Sequence, residues 1–338
     1  MTQAVERETS APAGAASAET ASAGATSAGT TPATVAQALD QLTLLTANFS
    51  DGIVLRDVMQ DWFDFLGGRP GQVVLVDNGS DDKTQQASFD CYRQGMIDKL
   101  LLVKADHCDT GRYINYIAEH TAPAIGTKPY LLFFKMDCLP WRKGFDQWLV
   151  EAMRYLERDD TFAIGGSFNC DAKHHEAWEG WYFADKCSEN FALMKREKFI
   201  AAMEESMGGY ISSGFRGPLF IQHEDERHYL MELAMERYMQ KHGLFTLVRT
   251  ETPDWTIFHT NVHNERLVKV RENYRARRDI TRFMNAGNFR NKFPNGIWYG
   301  RPPLIPWHRR LRVALGESAI GPLWRSIKRS LGLSKVSA

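Results

Sequence analysis

Short runs of consecutive apolar residues alternate along this chain with segments whose apolar positions recur every three or four residues. Leu42-Thr43-Leu44-Leu45-Thr46 runs into Ala47-Asn48-Phe49 and reads as a first buried strand. Gln72–Val76, Leu100–Val103, Tyr130–Phe134, Phe162–Gly166, Phe191–Met194, Phe245–Arg249 and Thr256–His259 read as further short strands. Leu55–Leu66 places Leu55, Val58, Met59, Trp62, Phe63 and Leu66 at helical spacing, and Gly67-Gly68-Arg69-Pro70-Gly71 ends the helix. Tyr113–His120, Phe145–Leu156 and Glu224–Gln240 are predicted as helices, whereas 167–189 keeps no clear period. Apolar strands alternating with helices predict an α/β fold, with a Rossmann-like, mainly parallel sheet covered by helices on both faces. In such sheets ligands bind beyond the carboxyl ends of the strands.

The 338 residues are 43% apolar and 12% aromatic, enough for a sizeable core. Lys plus Arg equals Asp plus Glu at 41 each, which argues against a surface devoted to nucleic acid. Residues 1–36 are dominated by Ala, Ser, Thr and Gly, and this composition predicts a disordered tail rather than a targeting segment. A folded domain is expected over 37–265 and a basic extension over 266–338. Within the extension, Arg301–Lys335 carries eight Lys or Arg against one Glu, interleaved with Trp307, Leu311, Leu323 and Trp324. Such a segment suits an anionic membrane surface, or equally a terminal helix with solvated charges. No run of about 18 apolar residues occurs, so no spanning helix is expected. The five cysteines form no C-x-x-C pair and predict reduced, mostly buried thiols in a cytoplasmic setting.

Three carboxylate-bearing segments follow predicted strands or open a helix. Asp77 ends the second strand and is followed by Asn78-Gly79-Ser80-Asp81-Asp82, a tight turn that holds a carboxylate ready to accept from a base or ribose. Asp137 follows the fourth strand, where an oxygen ligand suits Mg²⁺ or Mn²⁺ against a diphosphate. His223-Glu224-Asp225-Glu226 opens a helix after Gly208-Gly209 and Ser212-Ser213-Gly214, which read as flexible. Each segment alone is equally an ordinary turn or helix cap. His174-His175-Glu176 lacks a second ligand pair at metal-site spacing. Trp178, Trp181, Tyr182 and Phe183 are either an acceptor-stacking surface or core.

Taken together, the order and spacing of these segments resemble the family-2-type inverting glycosyltransferases over roughly Leu42–Arg275. The residues concerned are Leu42–Asn48, Val73–Thr84 (V-V-L-V-D-N-G-S-D-D-K-T), Gly111–Asn115, Leu131–Pro140 (L-L-F-F-K-M-D-C-L-P), Gly165-Gly166, Glu224-Asp225 and His259. The resemblance implies a GT-A fold, a nucleotide-sugar donor, and a glycan or lipid-linked acceptor at the cytoplasmic membrane face. It assigns donor binding to Thr46, Asn48, Asp77, Asn78, Arg112 and Lys135. It places a divalent cation, Mg²⁺ or Mn²⁺, at Asp137 and His259. It makes Asp225, with Glu224 beside it, the base that deprotonates the acceptor hydroxyl. Arg266, Arg271, Arg275, Arg277 and Arg278 are further candidates for phosphate contacts. The sequence departs from the family's D-x-D pair by placing Lys135 where the first acid is expected. A Lys ammonium can itself offset diphosphate charge, so the departure bears on metal use and on catalysis. It leaves open the alternative of a non-catalytic nucleotide-sugar or glycan-binding protein of the same fold. Neither the Q-x-x-R-W motif nor the membrane helices of processive synthases are present, which points to transfer of a single sugar.

Overall fold

The computed structural model describes residues 31–102, 126–140, 147–165, 175–178, 181–188, 190–213, 221, 230–249, 257–260, 262–275 and 297–299. The expected N-terminal tail up to residue 30, the helix Tyr113–His120 and nearly all of the extension beyond 275 lie outside these residues.

Thr34 caps α1 (Val35–Asp40) through a reciprocal box with Gln37. There follow β1 (Leu42–Asn48), α2 (Gly52–Leu66), β2 (Gln72–Asp77), α3 (Asp82–Arg93) and β3 (Lys99–Leu102). β4 (Tyr130–Lys135) and the short β5 (Cys138–Pro140) precede α4 (Trp148–Leu156) and β6 (Thr161–Gly165). β7 (His175–Trp178), β8 (Trp181–Ala184) and β9 (Phe191–Lys195) lead to two helices, α5 (Arg196–Ser212) and α6 (Leu230–His242). β10 (Phe245–Arg249), β11 (Ile257–His259), α7 (Glu265–Arg275) and β12 (Ile297–Tyr299) complete the described chain.

Nine strands form one sheet in the order β3-β2-β1-β4-β9-β6-β10-β8-β7. The segment β3-β2-β1-β4 is parallel throughout, as is the pair β6 and β10. β9 enters antiparallel between β4 and β6, and β8 and β7 extend the far side antiparallel. An apolar run identifies a buried strand but carries no direction, so this mixed half was not readable from the pattern. β5, β11 and β12 form a separate three-stranded sheet just past the end of β4.

Alternate residues of the central strands feed two cores, which explains their uninterrupted apolar character. Leu44, Val73, Leu75, Leu132 and Phe134 face a core with α1, α2, α4 and α7. Leu45, Val74, Val76, Leu131 and Phe133 face a second core with α5 and α6. Trp62 of α2 is fully buried, stacks on Phe134 at 4.6 Å between ring centroids, and donates its indole N–H to the Cys138 carbonyl. Trp181 is also core, with its ring 4.4 Å from that of Tyr155, and Phe183 packs on Phe245 at 5.2 Å. Cys91, Cys138 and Cys187 are buried. Leu267 and Val270 of α7 are buried in the first core, although they fall beyond the boundary expected at 265. Among the described residues no helix is long and apolar enough to cross a membrane.

Helices α1, α3 and α5 were not foreseen. α3 packs through Thr84, Ser88 and Cys91, small residues with little apolar signal, and is capped by Asp81, which accepts the Thr84 N–H at 2.9 Å. α5 runs through Gly208 and Gly209 to Ser212, so the expected flexible glycine pair is helical. Its buried face is Phe199, Ala202, Met203 and Met207.

The glycines make opposite predictions. A Cβ on Gly52 would lie 2.7 Å from the Thr84 Cα, because the first turns of α2 and α3 meet there. Gly52→Ala is therefore expected to lower stability by about 1–3 kcal/mol. A Cβ on Gly208 meets nothing within 4 Å, and Gly208→Ala should raise stability by about 0.5–1 kcal/mol. Urea unfolding of both variants checks the two signs.

Candidate functional site

The parallel register places Asn48 opposite Asp77, and Ala47 opposite Lys135, so β1, β2 and β4 end together at one edge of the sheet. Asp77 is fully buried, and its Oδ1 accepts the Ser80 N–H at 2.9 Å, an Asx-type turn that Gly79 permits with φ of 79°. Asn48 donates its amide Nδ2–H to Asp77 Oδ2 in a long contact of 3.4 Å. A carboxylate only accepts, so this contact fixes the orientation of the Asn48 amide. The other end of that amide, Oδ1, is buried without a hydrogen-bond partner among the described residues. Asn78 donates its backbone N–H to the Asn48 carbonyl at 2.9 Å, which ties the two loops together. Thr46 lies in the same strand, but its hydroxyl donates to the Phe134 carbonyl at 2.9 Å and holds β1 to β4.

Beyond β4 the backbone turns into the small sheet. Asp137 is buried, and its carbonyl accepts both the backbone N–H and the hydroxyl of Thr260, at 2.9 and 3.0 Å. The pairing of β5 with β11 sets Cys138 opposite His259, and the bonds from Thr260 continue the ladder to Asp137. Burial pushes the Cys138 thiol well up, with the nearby Asp137 carboxylate adding to the effect, so this cysteine is an inert thiol. Lys135 donates its backbone N–H to the Asn190 carbonyl at 3.0 Å. From there a polar network crosses to α6. The Asn190 side-chain amide donates to Ser188 Oγ at 3.1 Å, and Ser188 donates to the buried Glu232 at 3.0 Å. Lys186 pairs with the same carboxylate at 3.3 Å. This network joins Glu232, in the first turn of α6, to the edge that carries Lys135. Asp225, Glu224 and Arg112 themselves lie outside the described residues, as do Arg277, Arg278 and His174.

One constellation had no sequence signal. Asp51 stands at the start of α2, where an aspartate ordinarily caps its own helix, yet it makes no such bond. Its Oδ2 instead accepts Nδ1–H of His263 at 2.8 Å, and its Oδ1 accepts the Asn264 N–H at 2.7 Å. Asp51 is buried, while the His263 side chain remains 58% exposed. Arg271, a candidate phosphate ligand, is buried instead against α2. Its guanidinium spans Asp61 and Asp57, with Nη1 2.9 Å from Asp57 Oδ2 and Nη2 3.1 Å from Asp61 Oδ1. Phe49 and Ile53, in the loop and first turn after β1, are each 54% exposed. Among the described residues no group of three or more His, Cys, Asp or Glu side chains converges as a metal site.

No family model matches this chain. No curated protein matches it. Among solved structures, it is similar to a mannosyltransferase of Pyrobaculum calidifontis, PcManGT, in complex with GDP-Man and Mn²⁺. The identity is 13%, over 87% of this chain and 81% of the other, with a TM-score of 0.39. It is also similar to residues 1–349 of S. aureus TarS, at 11% identity over 58% and 55% of the two chains, TM-score 0.35. A third similar structure is GalNAc-T7 with UDP, GalNAc and Mn²⁺, at 11% identity over 72% and 50%, TM-score 0.41. The chain spans about half the length of the latter two. Scores this low establish no more than a general α/β likeness.

The Asp51 hydrogen bond, partly offset by desolvation, raises the His263 pKa above its ordinary value of 6.5. A raised folded-state value means that the pair's contribution to stability is full below about 6.5 and fades as pH rises through the folded value. In Asp51→Asn the imidazole should titrate at lower pH than in the wild type. The Cε1 proton resonance of His263 reports both midpoints, and equal midpoints would refute the pairing.

Proposed function

We propose that this chain is a glycosyltransferase of the GT-A type, moving a sugar from a nucleotide-sugar donor to an acceptor hydroxyl with inversion. The observation that carries the reading is the pair of buried acceptors at the ends of β1 and β2. Asp77 Oδ2 is held against Asn48, and Asn48 Oδ1 has no hydrogen-bond partner among the described residues. A buried acceptor left unpaired is costly, on the order of 1–3 kcal/mol. A nucleobase with its N–H groups, or a ribose with its hydroxyls, supplies the missing donors. The exposed ring of Phe49, next to Asn48, offers a face for a base to stack on.

On this reading Asn78 and Arg112 complete the donor pocket, and Lys135 sets a point charge near the diphosphate. The pairing of β5 with β11 sets His259 opposite Cys138, one residue along the chain from Asp137. Asp137 and His259 would offer one carboxylate and one imidazole to a Mg²⁺ or Mn²⁺ at this end of the sheet. Such an ion would offset charge on the departing diphosphate. Asp225 takes the proton of the acceptor hydroxyl, aided by its neighbour Glu224. The freed oxygen then attacks the anomeric carbon from the face opposite the diphosphate, and the bond to the diphosphate breaks. The acceptor is a glycan or a lipid-linked saccharide, and the basic 301–335 segment holds the protein at an anionic membrane surface beside it.

Thermal shift across a panel of nucleotide sugars, with and without Mn²⁺, tests donor binding. A donor at about 100 times its Kd should stabilise the wild type by about 2.7 kcal/mol, which raises Tm by several degrees. Asp225→Asn should keep that shift while turnover falls about 100-fold or more. A wild type that binds a donor but neither transfers nor hydrolyses the sugar would make this a binding protein of the same fold.

A further inference from the structure

The Asp51–His263 pair has the features of a built site. Its carboxylate is 2% exposed and both oxygens are committed, one to the imidazole and one to the Asn264 N–H. Its imidazole is anchored at Nδ1, and Nε2 has no hydrogen bond to a described residue while the side chain is 58% exposed. Asp51 follows Asn48 by three residues, so the pair stands at the edge where β1, β2 and β4 end. Asp137 and Lys135 lie within electrostatic range of the ring and, with Asp51, are the charged groups that act on it. The first turns of α2, α3 and α7 open at the same place, each with its positive dipole end. A carboxylate withdrawn from capping its own helix, and spent on orienting an exposed imidazole, gives up local stability for a fixed N–H direction.

We propose that His263, oriented by Asp51, is a binding residue for the diphosphate of the nucleotide donor, donating Nε2–H to a phosphate oxygen. The inference rests on the nucleotide-sugar reading and adds to it a cationic group that shares with Lys135 the work of holding the diphosphate. An imidazolium fits the role because it donates from both nitrogens, one inward to Asp51 and one outward to the anion. The bond it makes is charge-assisted, of the stronger class.

Calorimetric titration of the full chain in EDTA, with UDP, GDP, uridine and guanosine as probes, tests this. H263Q should bind the nucleoside diphosphate about tenfold more weakly than the wild type, with nucleoside affinity unchanged. In the wild type, the His263 Cε1 resonance should move with the diphosphate and with inorganic pyrophosphate, but not with the nucleoside. This measurement decides the matter even if the variant folds poorly. Equal diphosphate affinity in wild type and H263Q overturns the inference and leaves the transferase reading standing. So does an equal loss for the nucleoside, or a loss seen only when Mn²⁺ replaces EDTA, which would make His263 a metal ligand. If no nucleoside or nucleoside diphosphate binds the wild type either in EDTA or with Mn²⁺, the transferase reading falls and this inference falls with it.

Discussion

The burial of β1, β2 and β4 on both faces is the constraint on which the rest of the molecule depends. Leu44 and Leu45, Val73 and Val74, and Leu132 and Phe133 point alternately into two separate cores. A slip of one residue in any of these strands would exchange every side chain between cores of different shape, so the register is held from both sides. At the amino end the Thr43 hydroxyl donates to Gln72 Oε1 at 3.0 Å, and the same oxygen accepts the Thr127 N–H at 2.7 Å. With register and amino end fixed, the polar residues that terminate the strands must emerge together. Asn48, Asp77 and Lys135 are neighbours because Leu44, Val73 and Leu132 are core.

Against this rigid frame, departures from local preference concentrate in one loop. Within four residues Asn48 buries an amide oxygen without a described partner, Ser50 adopts a left-handed φ of 63°, and Asp51 forgoes its cap. Each costs on the order of 1–3 kcal/mol, and such costs persist only where surrounding contacts over-determine the conformation. Those contacts are visible. Ser50 donates its N–H to Ser80 Oγ at 3.0 Å, Gly52 sits against Thr84, and Trp62 anchors α2 in an aromatic stack with Phe134 and Phe191. Elements that obey local rules surround a loop that does not, and that loop borders the proposed donor pocket.

The same division explains what the sequence discloses. Strands β1, β2, β4, β6, β9 and β10 are legible because two-sided burial leaves runs dominated by apolar residues, and α2 is legible because Gly67 closes a clear periodic stretch. The α3 helix is hidden because Thr84, Ser88 and Cys91 bury little apolar area, and its evident turn residues mask the Asp81 cap. Gly208-Gly209 misleads because glycine's low helix propensity is outweighed by Phe199, Met203 and Met207 on the buried face of the same helix. The Asp77 turn is readable since all its parts are contiguous. The Asp51–His263 pair is not, because its members are 212 residues apart and each looks ordinary where it stands. Only the packing of α7 on α2 brings them into contact.

That packing has a definite geometry. The bonds between the two segments join residues separated by 210 to 214 positions, from Asp51 with His263 through to Asp61 with Arg271. A nearly constant offset means that α2 and α7 run side by side in the same direction, with both first turns at the carboxyl edge of the sheet. An apolar contact alone would tolerate sliding along the shared axis. The Arg271 guanidinium does not, since it reaches the Asp61 carboxylate, the Asp57 carboxylate and the Asp57 carbonyl in one planar arrangement. A slide of one helical turn, about 5.4 Å, would end the simultaneous contact of the guanidinium with Asp57 and Asp61, and would carry His263 out of reach of Asp51. The buried ion pair therefore acts as a register pin. The position of His263 at the ends of the strands is set by a charge contact two helical turns away rather than by any contact of the imidazole's own exposed face.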